Sequence, residues 1–310
     1  MNKKTIFFVL LALVTLASGL QARTDKKLTR LLERQTAGFN GVIGVYVKNL
    51  KTGSEACVNA DTVFPTASTI KVPIMAGIFD KIEKKELGYF QMLTYISSRQ
   101  KYSGDGGLLA SMRDSTELPL SQVQLLSICT SDNSASLWLQ ELAGSGIAIN
   151  RLMEQVGLKC TRVNSRTPGR EAFREIYGWG QTTPREMALL LTKIRNRELF
   201  TPASCDEMYR ILGTVFYRDV ALSQIPPTVN TASKQGMVSA SRSEVVLVNA
   251  PRGDYVFAVY TKNQKDTSYD KNNEGRRQIV AISALLWNYF EPGYGWQPAA
   301  GHEQFEGDDY

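Results

Sequence analysis

A serine and a lysine three residues apart, Ser68 and Lys71, open the apolar, helix-period run F-P-T-A-S-T-I-K-V-P-I-M-A-G-I-F at residues 64–79. On the first turn of a helix that spacing puts both side chains on one face, so the amine can come within hydrogen-bond reach of the hydroxyl. The helix N-terminus carries partial positive charge, which stabilises a developing alkoxide and disfavours an ammonium beside it. A lysine buried there can lose its proton near neutral pH and accept one from the serine, leaving a nucleophile. The same residues also suit a plainer arrangement, a serine capping a buried helix and a lysine whose stem snorkels to solvent. Spacing alone does not choose, because S-x-x-K occurs three times, at Ser68/Lys71, Ser98/Lys101 and Ser268/Lys271. Only the first leads into an apolar helical run (Ile70, Val72, Ile74, Met75, Ile78); the other two stand in polar, loop-like surroundings.

The 310 residues include a single histidine, His302, in a terminal segment rich in Gly, Pro and acid. A Ser-His-Asp triad, a Cys-His dyad and a histidine-built zinc site each need an imidazole held in a packed cleft, so those mechanisms are excluded. A nucleophilic serine must then be activated by another base, for which lysine is the candidate. Two further short motifs stand downstream. Ser131-Asp132-Asn133 lies in L-L-S-I-C-T-S-D-N-S-A-S-L-W-L, where one helical pattern ends and another begins; all three residue types also favour helix starts. Lys234-Gln235-Gly236 lies on a late strand pattern, S-K-Q-G-M-V.

With these three motifs in order, the chain resembles the class A serine β-lactamases and the penicillin-recognising enzymes related to them, whose signature is S-x-x-K, then S-D-N, then K-T-G. The resemblance runs from about residue 24 to residue 290 and includes Thr182-Thr183-Pro184 opening a helix. It implies that Ser68 attacks a strained or activated amide carbonyl to form an acyl-enzyme, with Lys71 as its base. Ser131 would pass a proton to the leaving nitrogen, close to Lys71 and Lys234. Asn133 would hold the substrate's side-chain amide, and Lys234, followed by Gly236, would supply positive charge for its carboxylate. The oxyanion would lie between the backbone N–H groups of Ser68 and Met237. No metal and no cofactor are implied. The expected partner is a small-molecule β-lactam or a cell-wall peptide, bound by a monomer.

Two departures from the family pattern stand out. The literal Lys-Thr-Gly at residues 51–53 precedes Ser68 in a turn between early strands and is read as a decoy. At the late position Gln235 replaces the hydroxyl residue expected to help bind the substrate carboxylate. Ser239, Ser241 or Arg242 either compensates for it or is an ordinary surface residue. The loop S-R-T-P-G-R-E-A-F-R-E-I-Y-G-W-G-Q-T-T-P (residues 165–184) also lacks the E-x-x-L-N pattern whose glutamate hydrolyses the acyl-enzyme. Counting back from Pro184 places Thr167 near that glutamate. Glu171 and Glu175 are the loop's only carboxylates: one of them, with Glu171 as first candidate, orients the water, or both are solvated or salt-bridged acids beside Arg166, Arg170 and Arg174. The resemblance therefore implies a serine hydrolase acting through an acyl-enzyme, foremost one that hydrolyses the β-lactam ring of penicillin- and cephalosporin-type compounds. A penicillin-binding protein or D-alanyl-D-alanine peptidase with slow deacylation is the alternative. A non-catalytic cell-wall binder is the third reading, disfavoured because a pure binder needs no base beside a serine.

The elements that must position these residues follow from periodicity. Residues 24–36 read as a helix, 41–50 as a strand, and 55–59 as a second strand after the turn 51–54. Residues 119–157 and 184–213 are helical, with starts near Ser121, Asn133, Ile147, Pro184 and Ala203. Strand patterns return at 229–234, 242–249 and 254–262, before a helix over 276–290 and a tail expected to be disordered from Glu291 onward. This predicts an α/β (α+β) fold: an antiparallel sheet built from both ends of the chain (23–66 and 217–290) and flanked by helices, with an all-helical lobe (67–216) inserted and a cleft between the lobes.

Residues 1–22 read as a signal peptide, with Lys3 and Lys4, the apolar run Ile6 to Leu16, and small residues at Ala17, Gly19 and Ala22; the expectation is a secreted or periplasmic protein. That run is too short to cross a bilayer comfortably, no other segment approaches it, and no cysteine near the cleavage region can take a lipid, so no membrane association is expected after cleavage. Cleavage lowers the formal charge from +6 to +4, too mild a balance to point to nucleic acid. With 43% apolar residues, the remainder can bury one large core or two smaller lobes. Cys57, Cys129, Cys160 and Cys205 either stay buried thiols with at most one bridge or pair into two disulfides, and no C-x-x-C metal knuckle occurs.

Overall fold

The computed structural model describes residues 23–100, 102 and 107–301; the expected signal segment, Lys101, His302 and the end of the tail lie outside the described residues. In chain order the elements are α1 (Lys26–Thr36), β1 (Val42–Asn49), β2 (Glu55–Val58), β3 (Phe64–Pro65), a 3-10 turn (Ala67–Ile70) running into α2 (Lys71–Glu83), β4 (Met92–Thr94), α3 (Ser97–Gln100), β5 (Glu117–Pro119), α4 (Leu120–Cys129), α5 (Asn133–Leu142), α6 (Ser145–Gln155), β6 (Arg162–Val163), α7 (Glu171–Tyr177), β7 (Gly180–Thr182), α8 (Pro184–Arg195), α9 (Pro202–Leu212), β8 (Thr231–Val238), β9 (Ser241–Val248), β10 (Tyr255–Lys262) and α10 (Glu274–Phe290).

The main sheet is antiparallel in the order β2-β1-β10-β9-β8, so its strands come from both ends of the chain. β9 and nearly all of β10 are buried along their whole length; β10 and the Val245–Val248 half of β9 read as apolar runs, while the equally buried first half of β9, Ser241 to Glu244, is polar. Helix α8 packs on the sheet at Gly44, where a Cβ would meet the Phe64 ring and Pro184, and at Tyr46, whose ring carries the Arg185 guanidinium 4.7 Å from its centroid. Thr183 caps α8 by accepting a hydrogen bond from Glu186 N, and Pro184 occupies the first turn, where its missing N–H costs nothing. α1 packs against α10 and is tied to it by hydrogen bonds from Tyr289 to the Asp25 carboxylate.

Helix α2 is the axis of the helical lobe. Every residue from Lys71 to Phe79 is buried, and Gly77 lies so close to Ile149 of α6 that a Cβ would approach it to 2.8 Å. A helix buried on all sides has little amphipathic pattern, as its run of apolar residues predicts. A small sheet in the order β3-β7-β6 then brings the loop before Pro184 beside the approach to Ser68, with Pro65 opposite Gln181 and Thr66 N bonded to Gly180 O at 2.9 Å.

Several expectations shift. β8 extends to Val238, past the predicted end at residue 234, so Lys234-Gln235-Gly236 lies within a strand paired along its length to β9. The segment after α10, expected to be disordered, starts packed: Glu291 is buried, its carboxylate accepts from Arg252 N at 2.8 Å, and Tyr294 meets the Trp287 ring edge-on. All four cysteines are free thiols, and no group of metal-binding residues gathers among the described residues.

Candidate active site

Ser68 sits in the 3-10 turn just before α2, preceded by Ala67 at φ +44°, a conformation that L side chains rarely adopt. Its hydroxyl caps nothing and makes no hydrogen bond among the described residues. The turn is pressed against the sheet: a Cβ at Gly236 would lie 2.7 Å from Ser68 N and 2.8 Å from Thr66 O, so only glycine admits this approach. Lys71, the first residue of α2, is wholly buried. Three oxygens surround the amine: it donates to the Ser131 carbonyl, to Ser131 Oγ at 2.9 Å and to Asn133 Oδ1 at 2.9 Å, with the Trp179 ring centroid 5.7 Å away. As a neutral amine Lys71 keeps two of the bonds by donation and accepts the third from the Ser131 hydroxyl, which makes Ser131 a route for its proton.

The Ser131-Asp132-Asn133 turn serves both the chemistry and the capping read from its residue types. Asp132 is the N-cap of α5, accepting from Ala135 N at 2.8 Å and also from Leu109 N at 2.7 Å, while burial pushes its carboxyl upward. Ser131, at φ +59°, and Asn133 turn toward Lys71. Strained backbone of this kind persists where the surrounding structure over-determines it, here at Ser131 and at Ala67 just before Ser68.

Lys234 is buried in β8 and donates to Gln235 O at 2.8 Å. Desolvation pushes its amine down to about 7, partly offset by the charges of Glu244 and Cys129. Glu244, across the strand pair, is driven up to about 7 by burial, against hydrogen bonds from Ala221 N (2.9 Å) and Ser233 Oγ (2.8 Å). Alternation along β8 sends Gln235 to the opposite side from Lys234. Gln235 and Arg242 therefore line a separate small cavity with Tyr269 and Arg276. Arg242 spends its guanidinium on the carbonyls of Val238, Ser241 and Ser268 and lies over the Tyr269 ring, so neither residue lines the cleft at Ser68.

That cleft has a volume of about 420 Å³. Ser68, Asn133 and Met237 line it, as expected, together with residues that sequence reasoning missed, chiefly Tyr102, Tyr177, Trp179 and Lys262. Ser241 also reaches the cleft wall, with its hydroxyl buried and without a partner, whereas Ser239 is held at the surface by Tyr269. The loop carboxylates stay away. Glu171 is exposed and accepts from Gly169 N at 3.1 Å, and Glu175 is exposed. Thr167 is buried against Gly146 instead of facing Ser68. Arg170 bonds Asn164 and Gln181 and stacks on Phe173. What the loop presents to Lys71 is the Trp179 ring, a lone tryptophan between two glycines whose position in the sequence was the only available signal.

This fold and site define a β-lactamase- or penicillin-binding-protein-like serine hydrolase. Over residues 23–290 the chain matches the model of the beta-lactamase enzyme family, and it belongs to that family. Among curated proteins it is similar to the β-lactamase VEB-1 of Pseudomonas aeruginosa, with 23% identity over 301 residues covering 93% of this chain and 98% of that one. Among solved structures it resembles PBP-A, with 25% identity, 87% of this chain and 97% of that chain covered and a TM-score of 0.76; a PBP-A variant has been solved as an acyl-enzyme complex with penicillin G. The β-lactamase of Sphaerobacter thermophilus shares the fold at 22% identity and a TM-score of 0.74, covering 85% of this chain and 96% of that one.

Proposed function

We propose that this protein opens β-lactam rings and related cell-wall peptide bonds by acylating Ser68, and that it releases the acyl group slowly, in the manner of a penicillin-binding protein. Ser68 Oγ attacks the carbonyl carbon as its proton passes to Lys71, and the oxyanion is held by the N–H groups of Ser68 and Met237. The C–N bond then breaks while Ser131 delivers a proton to the nitrogen and regains one from Lys71. Asn133 holds the side-chain amide, Lys234 provides positive charge for the carboxylate, and Ser241 offers the hydroxyl that Gln235 does not.

One observation carries the reading. The Lys71 amine is hydrogen-bonded to Ser131 and Asn133 beside Ser68, while both carboxylates of the neighbouring loop are exposed outside the cleft. Acylation has its parts, and the loop offers no base poised for hydrolysis. The likeness to PBP-A supports the same conclusion, and the likeness to VEB-1 favours the competing one of full turnover. Stopped-flow kinetics with a chromogenic cephalosporin separate them: the proposal predicts a burst equal to the enzyme concentration followed by turnover at least about a hundredfold slower. Sustained turnover abolished by Glu171→Gln would assign hydrolysis to Glu171 and make the protein an efficient β-lactamase.

A further inference from the structure

Trp179 occupies a place that the chemistry so far does not use. Its ring lies over the Lys71 amine and lines the cleft beside Ser68. Three restraints hold it there. Its indole Nε1 donates to Gln140 Oε1 at 2.9 Å, and Gln140, itself buried on α5, donates onward to Ser165 O at 2.7 Å. Its own carbonyl accepts from Asn164 N at 2.7 Å and Ser165 N at 3.0 Å, which fastens the end of the loop to its beginning. On the cleft side its ring stacks on Tyr102, centroids 6.4 Å apart and planes 12° from parallel. A surface aromatic needs no such set of ties; a ring fixed at its indole edge and on one face, on a backbone held at its carbonyl, keeps one position while a ligand comes and goes.

We infer that Trp179 is a water shield that sets the lifetime of the acyl-enzyme. The inference rests on the acylation of Ser68 proposed above. Releasing the acyl group requires a water oxygen to bond to the ester carbon as the carbon–Oγ bond breaks, one water proton going to Ser68 Oγ and the remaining O–H becoming the hydroxyl of the released acid. That water needs room near the Lys71 side of the ester and a polar partner to hold it. On that side the loop offers an apolar ring, braced so that it cannot turn away. Its indole N–H, the only polar atom it carries, is already given to Gln140. Water is thereby kept from the ester.

The test compares acylation and release by stopped flow and by the decay of the covalent adduct in intact-mass spectra, using penicillin G and a chromogenic cephalosporin. Trp179→Ala is expected to speed release about tenfold or more without speeding acylation, whereas Trp179→Phe, which keeps a ring, stays within about threefold of the parent in release. Release by Trp179→Ala at or below the parent rate would overturn the inference, as would acylation and release rising together. If Trp179→Ala does not fold, Gln140→Leu loosens the same ring from its anchor: faster release supports the shield and unchanged or slower release refutes it. Failure of the parent protein to form any adduct on Ser68 would refute the acylation reading itself, so the two failures are distinguishable.

Discussion

Burial drives Lys234 and Glu244 toward neutrality from opposite sides, the amine down to about 7 and the carboxyl up to about 7. Between about 7 and the unfolded lysine's 10.5, the unfolded chain binds a proton the folded one has lost, so this lysine adds stability as pH rises. Between the carboxyl's ordinary 4.5 and about 7, the folded chain holds a proton the unfolded one has released, so this glutamate removes stability as pH rises. Together they leave a stability minimum near neutrality. In the proposed function Lys234 attracts a substrate carboxylate by its charge, so acylation efficiency should decline as pH rises through about 7. Glu244→Gln removes the negative charge that holds the amine up, and should move that decline to lower pH. Acylation rates across a pH series check this; a limb that stays in place or moves upward would show that Lys234 does not set it. Ser68 itself was legible as a position but not as a state. Residue types and order located it, Lys71, Ser131 and Asn133, whereas the bonding of the Lys71 amine to three oxygens of Ser131 and Asn133 depends on a turn that only the fold builds.

Among the elements, the Ser131–Asn133 turn ties two parts of the helical lobe together. Asp132 caps α5 and also pins Leu109 N, so it joins the loop before β5 to the helix that presents Asn133. Asp132→Ala should cost roughly 2–4 kcal/mol, about 1 for the lost cap and about 1–3 for leaving the buried Leu109 N–H unpaired. Chemical denaturation measures this, and a change below about 0.5 kcal/mol would mean the turn is held by other contacts. Element types were readable because β10 and the second half of β9 are apolar runs, and α8 begins at a Thr-Pro that both caps and starts a helix. The loop of residues 164–179 was not. Its gapless count placed Thr167 toward Ser68, but Arg170 is drawn to Asn164 and Gln181 and the path bends, leaving Thr167 packed against Gly146 and Trp179 at the cleft. Side-chain networks of that kind carry no periodicity for a sequence to show.

At the scale of the whole molecule, the first and last strands, β1 and β10, pair over eight residues inside the sheet, so the turn bearing Ser68 is held between a sheet built from both termini and a lobe built from the middle. That architecture followed from the distribution of strand patterns along the chain. The cleft did not, because its walls come from separate segments: Ser68 on the turn, Asn133 on α5, Trp179 on the loop and Met237 on β8. Each contributes one face, and the account requires all of them to converge on one nucleophile. The measurement that tests this most directly is intact-mass spectrometry of the protein after exposure to penicillin G, followed by peptide mapping. One penicillin-derived acyl group per chain, carried by the peptide containing Ser68 and absent from Ser68→Ala, is the predicted result. An adduct that persists undiminished in Ser68→Ala, or that maps to any other residue, would contradict it.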